Sequence, residues 1–351
     1  MGLAAGPGAN GGALYCNGAG AGSVCSPQLN RVYIGASGAD GHGGALFNDA
    51  SRGGVSSPVL TNVIIRNSNA GGDGGAIYNL GDGGTSSPVL RNVYFENTHA
   101  LGGSGGAVYN LARGSGGVSS PVIEQASFNG NSAAVYGGAI FSRADGGGTS
   151  RMEVRNATFS ANQSASGQPG GAIAIVGVGG DASVDVEHAT FVNNMSGAMN
   201  NALFTQGGDV RVINSVLWGN PATAQRTQAI TFFTGSTTIT DSMIQDGCAG
   251  GNQAVMGGSA TCPGVTRVAD PELGALDANG MDGYPILYGY LPGANSQLLD
   301  AVACTVPTDQ RGIARPQGVG CDIGALERRG TVALAVTLSG SGTGTVSGAP
   351  S

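Results

Sequence analysis

The chain has 351 residues, of which 66 are glycine and only 11% are charged, while 40% are hydrophobic. So much glycine excludes an ordinary helical protein, because each interior glycine costs a helix about 1 kcal/mol relative to alanine, and the apolar share excludes a disordered low-complexity chain. All fifteen basic residues are arginine and the net charge is −7, which excludes lysine-based chemistry and, with no basic stripe, argues against nucleic acid as a partner.

The opening, MGLAAGPGANGG, has neither a charged start nor a long apolar run. A signal peptide is therefore expected to have been removed, or the chain to be a fragment. Cysteines fall as Cys16 and Cys25, Cys248 and Cys262, Cys304 and Cys321, near pairs 9, 14 and 17 positions apart. Local pairing is the simplest connectivity, and without C-x-x-C spacing disulfides in a secreted chain are expected rather than zinc. A GGA[L/I/V] burst begins at Ala13 and returns at Ala45, Ala76, Ala107, Ala139, Ala172, Ala202 and Ala229, in steps of 27 to 33 residues. One repeat holds too few apolar residues to bury a face, so the copies must stack on one shared core. Two strand-like segments per repeat and no helical one predict an all-β parallel β-helix of about eight coils over residues 1–265, a rod about 40 Å long at about 4.8 Å per rung.

Within each coil two polar columns are expected. In PVLTNVIIRN the apolar residues Leu60, Val63 and Ile65 break a period of two, and a corner at Asn62 restores it. Asn92, Gln125, Asn156, His188, Asn214 and Asp241 take that position in later coils, and their side chains are expected to form a ladder. A second ladder is expected after the second strand, at Asn67, Asn97, Asn131, Asn162, Asn194 and Asn220. Its last four members follow Phe128, Phe159, Phe191 and Leu217 by three residues, so that aromatic rings stack inward beside them.

Repeated GGA[I/L/V] with F-x-x-N at a spacing near thirty resembles the polymorphic outer-membrane protein repeats of bacterial surface adhesins, from residue 11 to about 246. That resemblance implies a right-handed parallel β-helix on a secreted or cell-surface bacterial protein. Past residue 265 the repeat stops. Asp309, Gln310, Arg311, Arg315, Pro316, Cys321, Asp322, Ile323, Gly324 and Glu327 then fall in an order similar to the choice-of-anchor Q region, which implies a C-terminal cap over residues 266–329 and a downstream anchoring module. Arg311 and Arg315 are expected to pair with Asp322 and Glu327 and tie down the terminal coil. Residues 330–351 alternate apolar and small side chains like the start of a further β module, with no spanning helix.

Candidate chemistry is sparse, and no metal or other cofactor is expected. Aligned coils place Arg91, Glu124, Arg155 and Glu187 in one column. Two glutamates about 10 Å apart could serve a polysaccharide lyase or glycoside hydrolase, or the column could be an exposed ladder of offsetting charges. Trp218 is expected near solvent, where it could stack on a sugar. Asp40, Asp73, Asp82, Asp145 and Asp181 occupy glycine turns without the single register a calcium roll needs. His42, His99 and His188 lack ligand spacing, and G-x-S-x-G around Ser104 is not followed by a helix. The leading expectation is an adhesin-like display segment without catalysis, whose partner is a surface protein or glycan; the alternative is a carbohydrate-active enzyme.

Overall fold

The computed structural model describes residues 8–165, 167–197, 202–220, 230–232, 234–245, 247, 259–266, 270–280 and 284–330. Its stacked strands form a parallel β-solenoid. The first sheet runs through Leu14–Asn17, Leu46–Asp49, Ile77–Asp82, Val108–Arg113, Ile140–Asp145, Ile173–Val178, Leu203–Gln206 and Ile230–Phe232. Those eight strands mark seven full turns. A second sheet stacks the longer strands, Gln28–Gly35, Val59–Arg66, Val89–Glu96, Val122–Asn129, Thr149–Ser160 and Asp181–Val192, and continues to Ser259–Thr261. A narrow third sheet runs from Gly38–Ala39 to Gln163–Ser164.

The alanine burst is the step from coil to coil. The amide of Ala45 donates to Ala76 O at 2.8 Å, that of Ala76 to Ala107 O at 3.0 Å, and that of Ala107 to Ala139 O at 2.8 Å. Ala229 lies outside the described residues. Glycine precedes the alanine because Gly74 turns at φ +66, and a Cβ on Gly75 would collide with Gly106 O.

The corner also falls where the broken period places it. Asn62, Asn92, Gln125, Asn156, His188, Asn214 and Asp241 all have φ between +46 and +56, and strand pairing skips from Thr61↔Arg91 to Val63↔Val93. Leu60, Val63 and Ile65 consequently all point inward and are fully buried. Inside, Phe95, Phe128, Phe159 and Phe191 stack with centroids 4.8, 4.8 and 4.6 Å apart. An aromatic row that the sequence reading missed, Phe47, Tyr78 and Tyr109, stacks at 4.9 and 4.8 Å on the outside of the first sheet. The loop carrying His42 folds over it, bringing that ring 4.8 Å from Tyr78.

Residues 270–280 and 284–330 depart from the expected end cap. They lie lengthwise along the flank of the solenoid as a strap. Tyr288 O accepts from Ser127 Oγ at 2.7 Å, Tyr290 shares a 2.7 Å bond with Ser160, and the Ala325 amide donates to Thr190 Oγ1 at 2.9 Å. Leu298 and Ile323 pack on Val216 and Met243. The reason is visible in the coils: from Ser127 onward this outward column is Ser127, Thr158, Thr190 and Val216, small and incompletely polar, and the strap buries it. Disulfides join Cys16 to Cys25 and Cys304 to Cys321. Cys262 is also disulfide-bonded, and Cys248 lies outside the described residues. Residues 331–351 are likewise outside them.

Candidate functional site

The charged column lies on the second sheet immediately before the corner, with Arg91↔Glu124↔Arg155↔Glu187 in register on successive strands. Arg91 Nε stands 2.8 Å from Glu124 Oε2, Arg155 Nε stands 3.2 Å from Glu187 Oε2, and Arg155 also reaches Glu124 at 3.7 Å. Glu153, one pleat away on the same strand, adds a 2.8 Å contact to Arg155. Burial opposes the charge on Arg155, but Glu153 and Glu187 outweigh it and hold the guanidinium above its usual value. The column is thus a run of alternating, mutually engaged charges. Neither glutamate stands opposite the other across a cleft with room for a sugar ring between them; an arginine fills the intervening rung.

Beside this column the corner residues meet the strap. Asn92 Nδ2 donates to Asn62 Oδ1 at 2.7 Å, and Asn214 Nδ2 lies 3.1 Å from His188 Nε2, so the ladder forms as two separate pairs. Between them it is interrupted. Gln125 and Asn156 turn to the strap instead, donating to Asp309 O at 3.3 Å and Thr308 O at 2.9 Å. Burial, and then the Arg315 guanidinium, push His188 down to about 3.

The second column is continuous through Asn131, Asn162, Asn194 and Asn220, with amide-to-amide bonds of 2.8, 2.8 and 3.1 Å. Asn67 and Asn97 are not in it. They occupy the preceding left-handed position, at φ +52 and +50, and Ser68 and Thr98 stand in the buried column. The spacing from aromatic to buried column is three residues in both, Phe95 to Thr98 and Phe128 to Asn131, so the early coils carry their asparagine one position earlier, and aligning by asparagine alone misplaced it. A further buried amide row, Asn48, Asn79 and Asn110, is bonded at 2.7 Å per rung. Its signal was the aromatic-asparagine pair in LFND, IYNL and VYNL.

The remaining candidates are engaged in structure. Trp218 is half-buried and packs on the cluster of Val216, Met243, Leu298 and Ile323, which corrects the expectation of a solvent-facing sugar platform. Ser104 is buried, its Oγ accepting from the Tyr136 amide at 3.2 Å. Asp73 accepts from the Ser104 amide at 2.8 Å, and Asp145 holds Arg143 at 2.7 Å. Among the described residues no three His, Cys, Asp or Glu side chains gather where a metal could sit.

In the strap, Arg315 and Glu327 form a fully buried pair at 2.6 Å. Arg315 also donates to Asp322 O and Gly324 O at 2.9 and 2.7 Å. Arg311 pairs with Asp309 at 2.7 Å rather than with either expected carboxylate, because Asp309 faces back across its own turn. The Asp322 carboxylate accepts from the amides of Asp300 and Arg328. These pairs fold the strap on itself along the flank, not over the terminal coil. Fold and site together define a parallel β-solenoid with a lateral, disulfide-bridged strap. No family model, curated protein or solved structure matches the chain.

Proposed function

We propose that the protein is a secreted or cell-surface bacterial display rod of adhesin-like type, without catalysis, carrying a choice-of-anchor Q-like strap that precedes an anchoring module. The observation that carries this reading is the state of the charged column: Glu124 and Glu187, its two glutamates, are each held against arginine. A general acid or base needs a carboxyl group free to reach substrate. The disulfides fit an oxidising compartment. No described helix is long and apolar enough to cross a membrane.

The surface offered to partners is the stack of loops at 51–57, 80–87 and 111–120. These loops stack in register, through Val55↔Thr85 and Thr85↔Val118 bridges, while Arg52, Gly83, Arg113 and Ser115 remain exposed at their tips. A surface protein or glycan is the partner class. The test is capture of immobilised glycans and extracellular matrix proteins by the intact chain and by a variant with Arg52 and Arg113 changed to glutamate. Capture lost in the variant supports presentation by these loops. Equal capture by both proteins overturns it.

A further inference from the structure

Where the strap crosses the first coils, it turns large side chains outward. Burial alternates over residues 284–288: Pro285 and Leu287 are buried, whereas Tyr284 and Ile286 are 39% and 41% exposed and Tyr288 is half-buried. The solenoid adds two more rings. Tyr33, Ile64 and Tyr94 stand in register on successive strands of the second sheet, so that two rungs, about 10 Å, separate the tyrosines. Tyr94 meets Tyr288 with ring centroids 5.5 Å apart. Tyr33 is 57% exposed. Burial, and then the nearby Tyr33 phenol, hold the Tyr284 hydroxyl above its usual range.

A glycine sets the pose of Tyr33. A Cβ on Gly35 would stand 2.5 Å from Cε1 of that ring and 2.7 Å from its hydroxyl oxygen, so the ring lies back along its own strand rather than standing off it. The surroundings are polar but nearly uncharged. Asn92 donates to Asn62 at 2.7 Å and Asn62 to Asn30 at 3.0 Å. This chain of amides ends in exposed Asn30, whose NH2 group has no partner among the described residues. Each bond in such a chain polarises the next. Arg31 is the one charged residue between Gln28 and Ala39, and Arg66 and Glu96 pair with each other.

We infer that this face binds a neutral glycan lying along the strap, with sugar rings stacked on Tyr33 and Tyr284 and hydroxyls reaching the two phenols and the Asn30 amide. A β-linked chain of equatorially substituted hexoses presents apolar C–H faces edged by hydroxyl groups. That pattern complements aromatic side chains whose rims are polar. An apolar protein surface would leave the phenols and the Asn30 amide unpaired. An acidic polymer would find a single arginine here, on a chain of net charge −7. The inference rests on the display reading above and names the class of glycan, at a face separate from the loops at 51–57, 80–87 and 111–120.

Isothermal titration of the intact chain with cellohexaose, chitohexaose and laminarihexaose, beside oligogalacturonate as the acidic comparison, tests it. The expected result is saturable binding of at least one neutral oligosaccharide, little changed by salt. Tyr33→Ala and Tyr284→Ala should each weaken that binding at least about fivefold, and Tyr33→Phe should weaken it less than Tyr33→Ala does. Gly35→Ala is the most specific probe: its methyl group displaces the Tyr33 ring, so affinity should fall while the far-ultraviolet spectrum stays that of the parent. No binding of any neutral oligosaccharide, binding of oligogalacturonate alone, or neutral binding indifferent to both alanine variants of the tyrosines would overturn the inference. The variant with Arg52 and Arg113 changed to glutamate separates this from the loop reading. Neutral glycan released by that variant and retained by the tyrosine variants would leave the loops standing and defeat this face. Matrix proteins captured through the loops, with no glycan bound, would do the same.

Discussion

Asn162 and Asn156 belong to one coil and do different work. Asn162 is fully buried; its amide donates to Asn194 Oδ1 and Phe128 O, and its carbonyl accepts from the backbone and side chain of Asn131. Replacing it by leucine strands those partners, and the expected cost is about 3 kcal/mol in a urea melt. Asn156 holds φ +50 and donates once, to Thr308 O. Asn156→Gly should cost about 1 kcal/mol for the bond alone, and Asn156→Leu a further 1 to 2 kcal/mol, approximately, for the left-handed backbone. Equal losses in the two variants would show that backbone conformation does not limit this site. Glu124→Gln, on a partly exposed pair, should change stability by less than about 1 kcal/mol. The corner was legible in the sequence because a broken apolar period has a geometric cause. The row of Asn48, Asn79 and Asn110 was not, since an asparagine between apolar neighbours looks solvent-facing until the opposite wall of the coil is in place.

At the scale of elements the strap decides pH and redox behaviour. His188 lies beneath it and is held near 3 against an ordinary 6.5, so the unfolded chain takes up a proton that the folded one refuses. Stability therefore falls as pH drops through about 6.5 toward 3. Asp322 works the other way. Burial raises it from 3.8 to about 6, so the folded state binds its proton first and gains as pH falls from about 6 toward 4. His188→Asn, which restores the residue common at this corner, should remove the acid-sensitive contribution. Between pH 7 and 4.5 the variant is expected to fare better than the parent by about 2 to 3 kcal/mol in paired urea melts; parallel pH profiles would contradict this. Replacing Cys304 and Cys321 by serine should cost about 3 kcal/mol, the loop-closure value for a bridge of this span. The string from Asp309 to Glu327 was readable as a unit, but its position was not. Which surface it covers depends on the outward residues Ser127, Thr158 and Thr190, and these carry no pattern that distinguishes covered from exposed.

For the whole molecule, architecture followed from the repeat alone: a fixed period near thirty with two apolar bursts has few ways to bury itself other than stacking. Function followed less directly, because the same solenoid could support either display or carbohydrate chemistry. The difference rests on whether the glutamates of one column are engaged or free. The decisive measurement is turnover of a panel of acidic and neutral polysaccharides by the folded chain, followed through new reducing ends and the ultraviolet absorbance of unsaturated products. The account predicts no turnover, in the parent and in Glu124→Gln and Glu187→Gln alike. Turnover that either substitution abolishes would make the charged column an active site and contradict the reading of this protein as a display rod.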